Sequence, residues 1–237
     1  MKNVLITGGS RGIGAACVRL FTENDFHVFF TYNKSKVQAQ RLEAETGAIG
    51  ILADAADITA PQLALAAVHQ TGPVDILVNN AGIAQQKLFS DITESDWDRM
   101  FDINVKSVFR MTQAVLPDMI HQKQGRIINL SSIWGQIGAS CEVHYSAAKA
   151  AVIGLTKALA KELGPSGICV NCVAPGMVDT DMNAGLSPEE TAAIAEEIPL
   201  GRAGAPLEIA QTVFFLAGPE SGYVTGQIFA PNGGWEI

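Results

Sequence analysis

A short strand that ends in a glycine-rich turn and runs directly into a helix restricts this chain more than any other feature. Asn3–Thr7 is an apolar run, Thr7-Gly8-Gly9-Ser10-Arg11-Gly12-Ile13-Gly14 follows it, and Gly12–Asn24 has helical spacing. In a first βα unit such a turn lets backbone N–H groups approach a pyrophosphate, and the helix N-terminus adds partial positive charge. Glycine is needed where a Cβ would block that approach. A plain tight turn can carry the same letters. The strand before and the helix after favour a dinucleotide cradle made of Gly8, Ser10, Arg11, Gly12, Ile13 and Gly14.

The same unit recurs along the chain. Further strands are expected at His27–Tyr32, Ile49–Ala53, Val74–Val78, Arg126–Ser131, Ile168–Ala174 and Gln227–Ala230. Helices are expected at Lys34–Thr46, Ala60–Thr71, Ser95–Gln122, His144–Leu163 and Pro206–Ala217. The third of these opens on a Thr93/Ser95 cap region and should bend at Pro117. Repeated β-then-α units imply a mostly parallel sheet covered on both faces, and right-handed crossovers make it doubly wound. The expected fold is therefore a Rossmann-type α/β domain of about seven strands over residues 1–237, with no linker or repeat to divide it. The least regular stretch, Pro175 to Pro206, follows a strand C-terminus, where open α/β sheets bind ligands. It is read as a substrate lid over about 176–205.

Composition narrows the partners. The chain of 237 residues carries a net charge of −8, which argues against a nucleic-acid partner. No stretch approaches the ~20 apolar residues of a membrane helix, and the N-terminal apolar run is too short for a signal peptide, so a soluble cytoplasmic protein is expected. Cys169 and Cys172 form a Cys-x-x-Cys on an expected strand. Residues three apart there point to opposite faces, so the pair reads as buried structural thiols rather than a redox or metal site, and no metal is expected.

Tyr145-Ser146-Ala147-Ala148-Lys149 opens a helix, which puts the phenol and the ammonium on one face. A free phenol titrates near ~10, and a neighbouring ammonium should lower that value toward a useful acid. Ser132 stands thirteen residues upstream at a strand end, where its hydroxyl can donate to a carbonyl oxygen. Singly these are an ordinary helix pair and a turn serine. Together with the Gly-x-x-x-Gly-x-Gly spacing led by Thr7, they resemble the short-chain dehydrogenase/reductase family, in order and spacing, over essentially the whole chain.

The resemblance implies hydride transfer to or from a carbonyl carbon, with Ser132, Tyr145 and Lys149 catalytic. Asn104 would kink its helix and hold a water leading to the lysine. Lys149 would also hold the nicotinamide ribose. Asp54, with Ala55 beside it, would contact the adenine amino group. Asn80, Ala81 and Gly82 would shape the cofactor cleft. Pro175, Gly176, Val178 and Thr180 would belong to the loop that binds the nicotinamide carboxamide. The second strand ends in Phe30-Thr31-Tyr32-Asn33-Lys34 with no acid to repel a 2′-phosphate. Tyr32, Asn33 and Lys34 with Arg11 therefore point to NADPH rather than NADH. Members of the family commonly form tetramers by pairing the long helix with His144–Leu163, and Gly234-Trp235-Glu236-Ile237 could add contacts.

Within the family the chain looks most similar to bacterial 3-oxoacyl-(acyl-carrier-protein) reductases, through Ser10–Gly14, Pro175–Met182 and Asn232-Gly233-Gly234. That implies reduction of a 3-oxoacyl thioester, small or carrier-bound. Two departures stand against it. Gly164-Pro165-Ser166-Gly167 lacks the basic residue that helps dock an acidic carrier, which leaves Arg126. Trp134, Glu142 and His144 between the serine and the tyrosine are unusual. That stretch resembles a subgroup that reduces an aminopentanone group on elongation factor P, whose amine would suit Glu142, unless Glu142 only caps the helix. Steroid or sugar alcohols, and a non-catalytic NADPH-binding regulator, are the remaining alternatives.

Overall fold

The computed structural model describes residues 1–236, so Ile237 of the expected C-terminal contact lies outside the described residues. Seven parallel strands form one sheet: β1 (Asn3–Ile6), β2 (His27–Tyr32), β3 (Ile49–Leu52), β4 (Ile76–Asn79), β5 (Gly125–Leu130), β6 (Ile168–Val173) and β7 (Ile228–Phe229). Their order is β3-β2-β1-β4-β5-β6-β7, so the winding reverses between β1 and β4. That reversal is the point where an open sheet gapes and binds ligands.

Period-two alternation divides the core. Val4, Ile6, Phe30, Val78 and Ile128 face one way, toward α1 (Gly12–Glu23), α2 (Lys36–Thr46) and α9 (Pro206–Ala217). Leu5, Phe29, Leu77 and Ile127 face the other way, toward α3 (Ala60–Val68), α5 (Ser107–Gln122) and α7 (Val143–Leu163). Strands covered on both faces need apolar residues at consecutive positions, which is why they read as unbroken apolar runs.

The expected long helix is two helices. Thr93 caps α4 (Glu94–Phe101) through a reciprocal pair with Asp96, and a π turn at Asp102–Lys106 separates it from α5. The break is at Asn104, not at Pro117. Pro117 stays inside α5, and Gln113, whose carbonyl it leaves unpaired, lies on the exposed face. A short α6 (Trp134–Ile137) and α8 (Pro188–Glu197) were not anticipated. The region read as an irregular lid thus contains a helix, with Ser187 and Glu190 forming its capping box.

A buried polar ladder ties the sheet to two helices. Asn79 Nδ2 donates to Asn129 Oδ1 (2.9 Å) and Thr112 Oγ1 (3.1 Å), and Asn129 Nδ2 donates to Thr156 Oγ1 (2.9 Å). Asn79 and Asn129 are register partners at the C-terminal ends of β4 and β5. Asn129→Ala would take one hydrogen-bond partner each from Asn79 and Thr156 in a dry interior. We expect a loss of roughly 2–4 kcal/mol, seen as a lower urea midpoint with an unchanged slope.

Candidate active site

The first cleft lies over the reversal between β1 and β4. Thr7 Oγ1 accepts from the backbone N–H groups of Asn80 and Ala81 at 3.0 Å each. Asn80 Nδ2 returns the contact, donating to the carbonyls of Thr7 and Gly8 at 2.9 Å. This clamp leaves no room at Gly14, where a Cβ would stand 2.3 Å from the Gly8 carbonyl oxygen. No side chain caps α1, whose N-cap is Arg11. The cleft is lined by Gly8, Ser10, Arg11, Gly12 and Ile13 on one side, and by Tyr32, Asn33 and Lys34 beyond β2. Asp54, Ala55, Asn80, Ala81, Gly82 and Thr180 complete the predicted part of its wall.

Three details refine the sequence reading. Helix α2 begins at Lys36, so Lys34 sits in the turn and faces the cleft. Arg11 is held 3.9 Å from Asp181, with both side chains exposed. Asp54 is also a turn residue, its Oδ1 accepting from the Ala56 N–H at 3.0 Å. Exposed Arg99 of α4 and buried Ile103 of the π turn also line the cleft and were missed, since neither position carries a local pattern that marks it. A carboxylate-free end of β2, an uncapped helix N-terminus and a backbone cradle fit an extended dinucleotide.

The second cleft adjoins the first, with Ile13, Thr180 and Met182 lining both. Ser132, Tyr145 and Lys149 meet beneath it, and all three are buried. Ser132 follows β5 and accepts from the Trp134 N–H at 3.2 Å. Its neighbour Ser131 is committed elsewhere, donating to the Lys149 carbonyl at 2.8 Å. Lys149 Nζ donates to the Leu130 carbonyl at 2.9 Å and sits 5.7 Å from the centre of the Tyr145 ring. The π turn brings in Asn104, which is fully buried. Its Nδ2 donates to the carbonyls of Ile83 (3.1 Å) and Met100 (3.0 Å), and its Oδ1 accepts from the Ile83 N–H at 3.2 Å. Only Gly82 separates Asn104 from Lys149; a Cβ there would meet Asn104 Oδ1 at 2.7 Å and Lys149 Nζ at 3.3 Å.

The electrostatics differ from the expectation of an acidified phenol. Burial pushes the Tyr145 phenol up to about 12, with Ser132 pulling it partly back and Glu142 adding to the rise. Burial also brings Lys149 down to about 8, against the nearby Cys172 thiol. Desolvation disfavours both charged forms, and the Lys149 ammonium donates to a backbone carbonyl. The phenol is thereby kept protonated and able to donate.

Glu142 occupies the N-cap position of α7 but makes no capping hydrogen bond. It lines the second cleft instead, beside Gln86, and burial raises its pKa. Pro175, Gly176 and Val178 line the same cleft, as do Gln85, Glu190, Ile194 and Trp235, which sequence reasoning missed. The Ser187-x-x-Glu190 capping box was the available signal for the lid helix; nothing local marks Gln85 or Trp235. Arg126 stands at the start of β5, the opposite end of the strand from Ser132, so it does not line the mouth of this site. Cys169 and Cys172 lie along β6, where burial pushes the Cys172 thiol up to about 11.

Comparison with known proteins finds relatives over nearly the whole chain. Residues 8–236 match a family model described as enoyl-(acyl carrier protein) reductase. The chain is 42% identical to the 3-oxoacyl-(acyl-carrier-protein) reductase FabG of Staphylococcus aureus, over 98% of this chain and 97% of the relative. It is equally 42% identical to the Vibrio cholerae enzyme of that name, over 98% and 96%. The Staphylococcus epidermidis enzyme is 41% identical, over 98% of each chain. The chain is an oxidoreductase of the short-chain dehydrogenase/reductase family.

Proposed function

We propose that the protein uses NADPH to reduce a ketone to a secondary alcohol, with a 3-oxoacyl thioester as its substrate class. The observation that carries the proposal is one buried group, Ser132, Tyr145 and Lys149, beneath a cleft that shares its wall with the dinucleotide cradle. The bound cofactor supplies the hydride. Ser132 donates to the substrate oxygen and orients it. Tyr145, a neutral phenol, gives that oxygen its proton as charge develops there. Lys149 places positive charge behind the phenol, and Asn104, across Gly82 from Lys149, is proposed to relay its proton. Arg11 and Lys34, with no carboxylate after β2, support the 2′-phosphate of NADPH. The carrier-protein relatives support the thioester.

A second reading has an observation of its own. Glu142 does not cap α7 but presents a desolvated carboxyl to the cleft, and Glu190 lines it too, with no basic side chain among the lining residues. This favours a ketone bearing an ammonium group, as in the aminopentanone on elongation factor P. By the same family likeness we propose a homotetramer of cytoplasmic enzymes. Half-exposed Phe109 on α5 and the open space around Gly154 on α7 leave those helices free to pair with a second copy. No helix among the described residues is long and apolar enough to cross a membrane.

A carbonyl panel run with NADPH and NADH on the wild type, Tyr145→Phe and Glu142→Gln tests these readings together. We expect NADPH to be preferred, and Tyr145→Phe to lose about 10²–10⁴ in kcat while still binding cofactor. Cofactor binding without turnover of any carbonyl in the wild type would instead mark a binding protein. Glu142→Gln should leave acetoacetyl thioester reduction nearly unchanged under the first reading. Under the second it should lower kcat/KM for an aminoketone selectively. The pH profile is a separate check. Lys149 is charged below about 8 and neutral above it, so reduction should be level at lower pH and decline as pH rises through that value. A profile flat from weakly acidic to strongly alkaline pH would remove Lys149 from the proton step. Light scattering should give four copies; a monomer at micromolar concentration would end the tetramer.

A further inference from the structure

The motif Asn232-Gly233-Gly234-Trp235 has no part in the chemistry above, yet it is built into the site. On one side it passes the loop after β6. A Cβ on Gly176 would stand 2.8 Å from Asn232 Cβ, and the Gly176 N–H donates to the Pro231 carbonyl at 3.2 Å. On the other side it passes the end of α8. A Cβ on Gly233 would stand 2.6 Å from Ile198, and the Leu200 N–H donates to the Gly233 carbonyl at 3.2 Å. The glycines therefore let the tail thread between two elements that frame the substrate cleft.

What the thread delivers is Trp235. Its indole N–H donates to Glu197 Oε2, the last residue of α8, at 3.3 Å. Its ring meets Trp134 edge to face, with centroids 5.0 Å apart and planes at 66°. Trp134 packs in turn on the cluster that holds Tyr145 and Ala148. Both indoles line the substrate cleft. At that separation the rings touch, and no methylene chain passes between them.

We propose that Trp134 and Trp235 are specificity-determining residues, a closed aromatic wall that confines the substrate to a short chain on its carbonyl. The inference rests on the ketone-reductase reading. The wall joins a residue next to Ser132 to the C-terminal tail and, through Glu197, to the lid helix. Removing either indole breaks the wall and opens the passage.

The test is kcat/KM over two homologous series, 3-oxoacyl N-acetylcysteamine thioesters from acetoacetyl to 3-oxododecanoyl and linear 2-ketones of matching length. The enzymes are the full-length wild type, Trp134→Ala, Trp235→Ala and Trp235→Phe. The wild type should favour the short members. Each alanine variant should raise the long-to-short ratio about tenfold or more, chiefly through KM, while Trp235→Phe keeps the wild-type profile. Cofactor affinity within about twofold of wild type and an intact circular dichroism spectrum show that the variants are folded. Wild type that reduces the ketones with this length limit but no thioester would sink the thioester reading and leave the wall standing. A wild type that treats short and long chains alike would overturn the wall, as would folded alanine variants with an unchanged length profile or failure to reduce either series.

Discussion

The Thr7–Asn80 clamp is the contact from which the rest of the site is laid out. It fastens the end of β1 to the end of β4 where the sheet reverses, using both backbone and side-chain groups of each residue. Four hydrogen bonds hold the glycine turn against Asn80 and Ala81, so α1 leaves it in one direction. The cofactor cleft on one side and Gly82, Asn104 and Lys149 on the other are both placed by that junction. A second polar layer, the Asn79–Asn129–Thr156 ladder, repeats the device one step along and fixes α7 against β5.

Polar fastening of this kind leaves Tyr145 and Lys149 in a dry place, and dryness decides their electrostatics. Two effects compete at Tyr145. A nearby ammonium would favour phenolate, while burial favours phenol. Burial wins: Lys149 Nζ donates to the Leu130 carbonyl and lies 5.7 Å from the centre of the Tyr145 ring. The same burial lowers Lys149 itself toward neutral pH. A protonated phenol beside a hydroxyl donor is poised for reduction of a carbonyl.

Several elements were legible because their signals are local. The parallel sheet followed from alternating β and α runs, and the cradle from glycines at a strand-to-helix junction. Tyr145 and Lys149 followed from one helix spacing. The kink at Asn104 was expected from the family resemblance alone; nothing local marks the π turn, where the Asn104 side chain bonds the backbone of Ile83, twenty-one residues earlier. Pro117, the local signal for a bend, leaves α5 continuous because the carbonyl it orphans belongs to a residue on the exposed face. Glu142 carried two local readings, cap or wall, and only its place beside Gln86, fifty-six residues earlier, in the cleft lining chose the wall.

The sequence by itself determined what depends on neighbours along the chain: strand and helix periods, the phosphate turn, the missing acid after β2 and the serine, tyrosine and lysine that belong together. Tertiary structure alone decided the rest. It brought Arg99 to the first cleft, and Gln85, Glu190 and Trp235 to the second, from four separate segments. It also set the protonation of Tyr145 and Lys149. The physical reason is common to both: desolvation and cleft walls are created by groups far apart in the chain that come within contact distance only when the sheet has closed its two layers of helices around them.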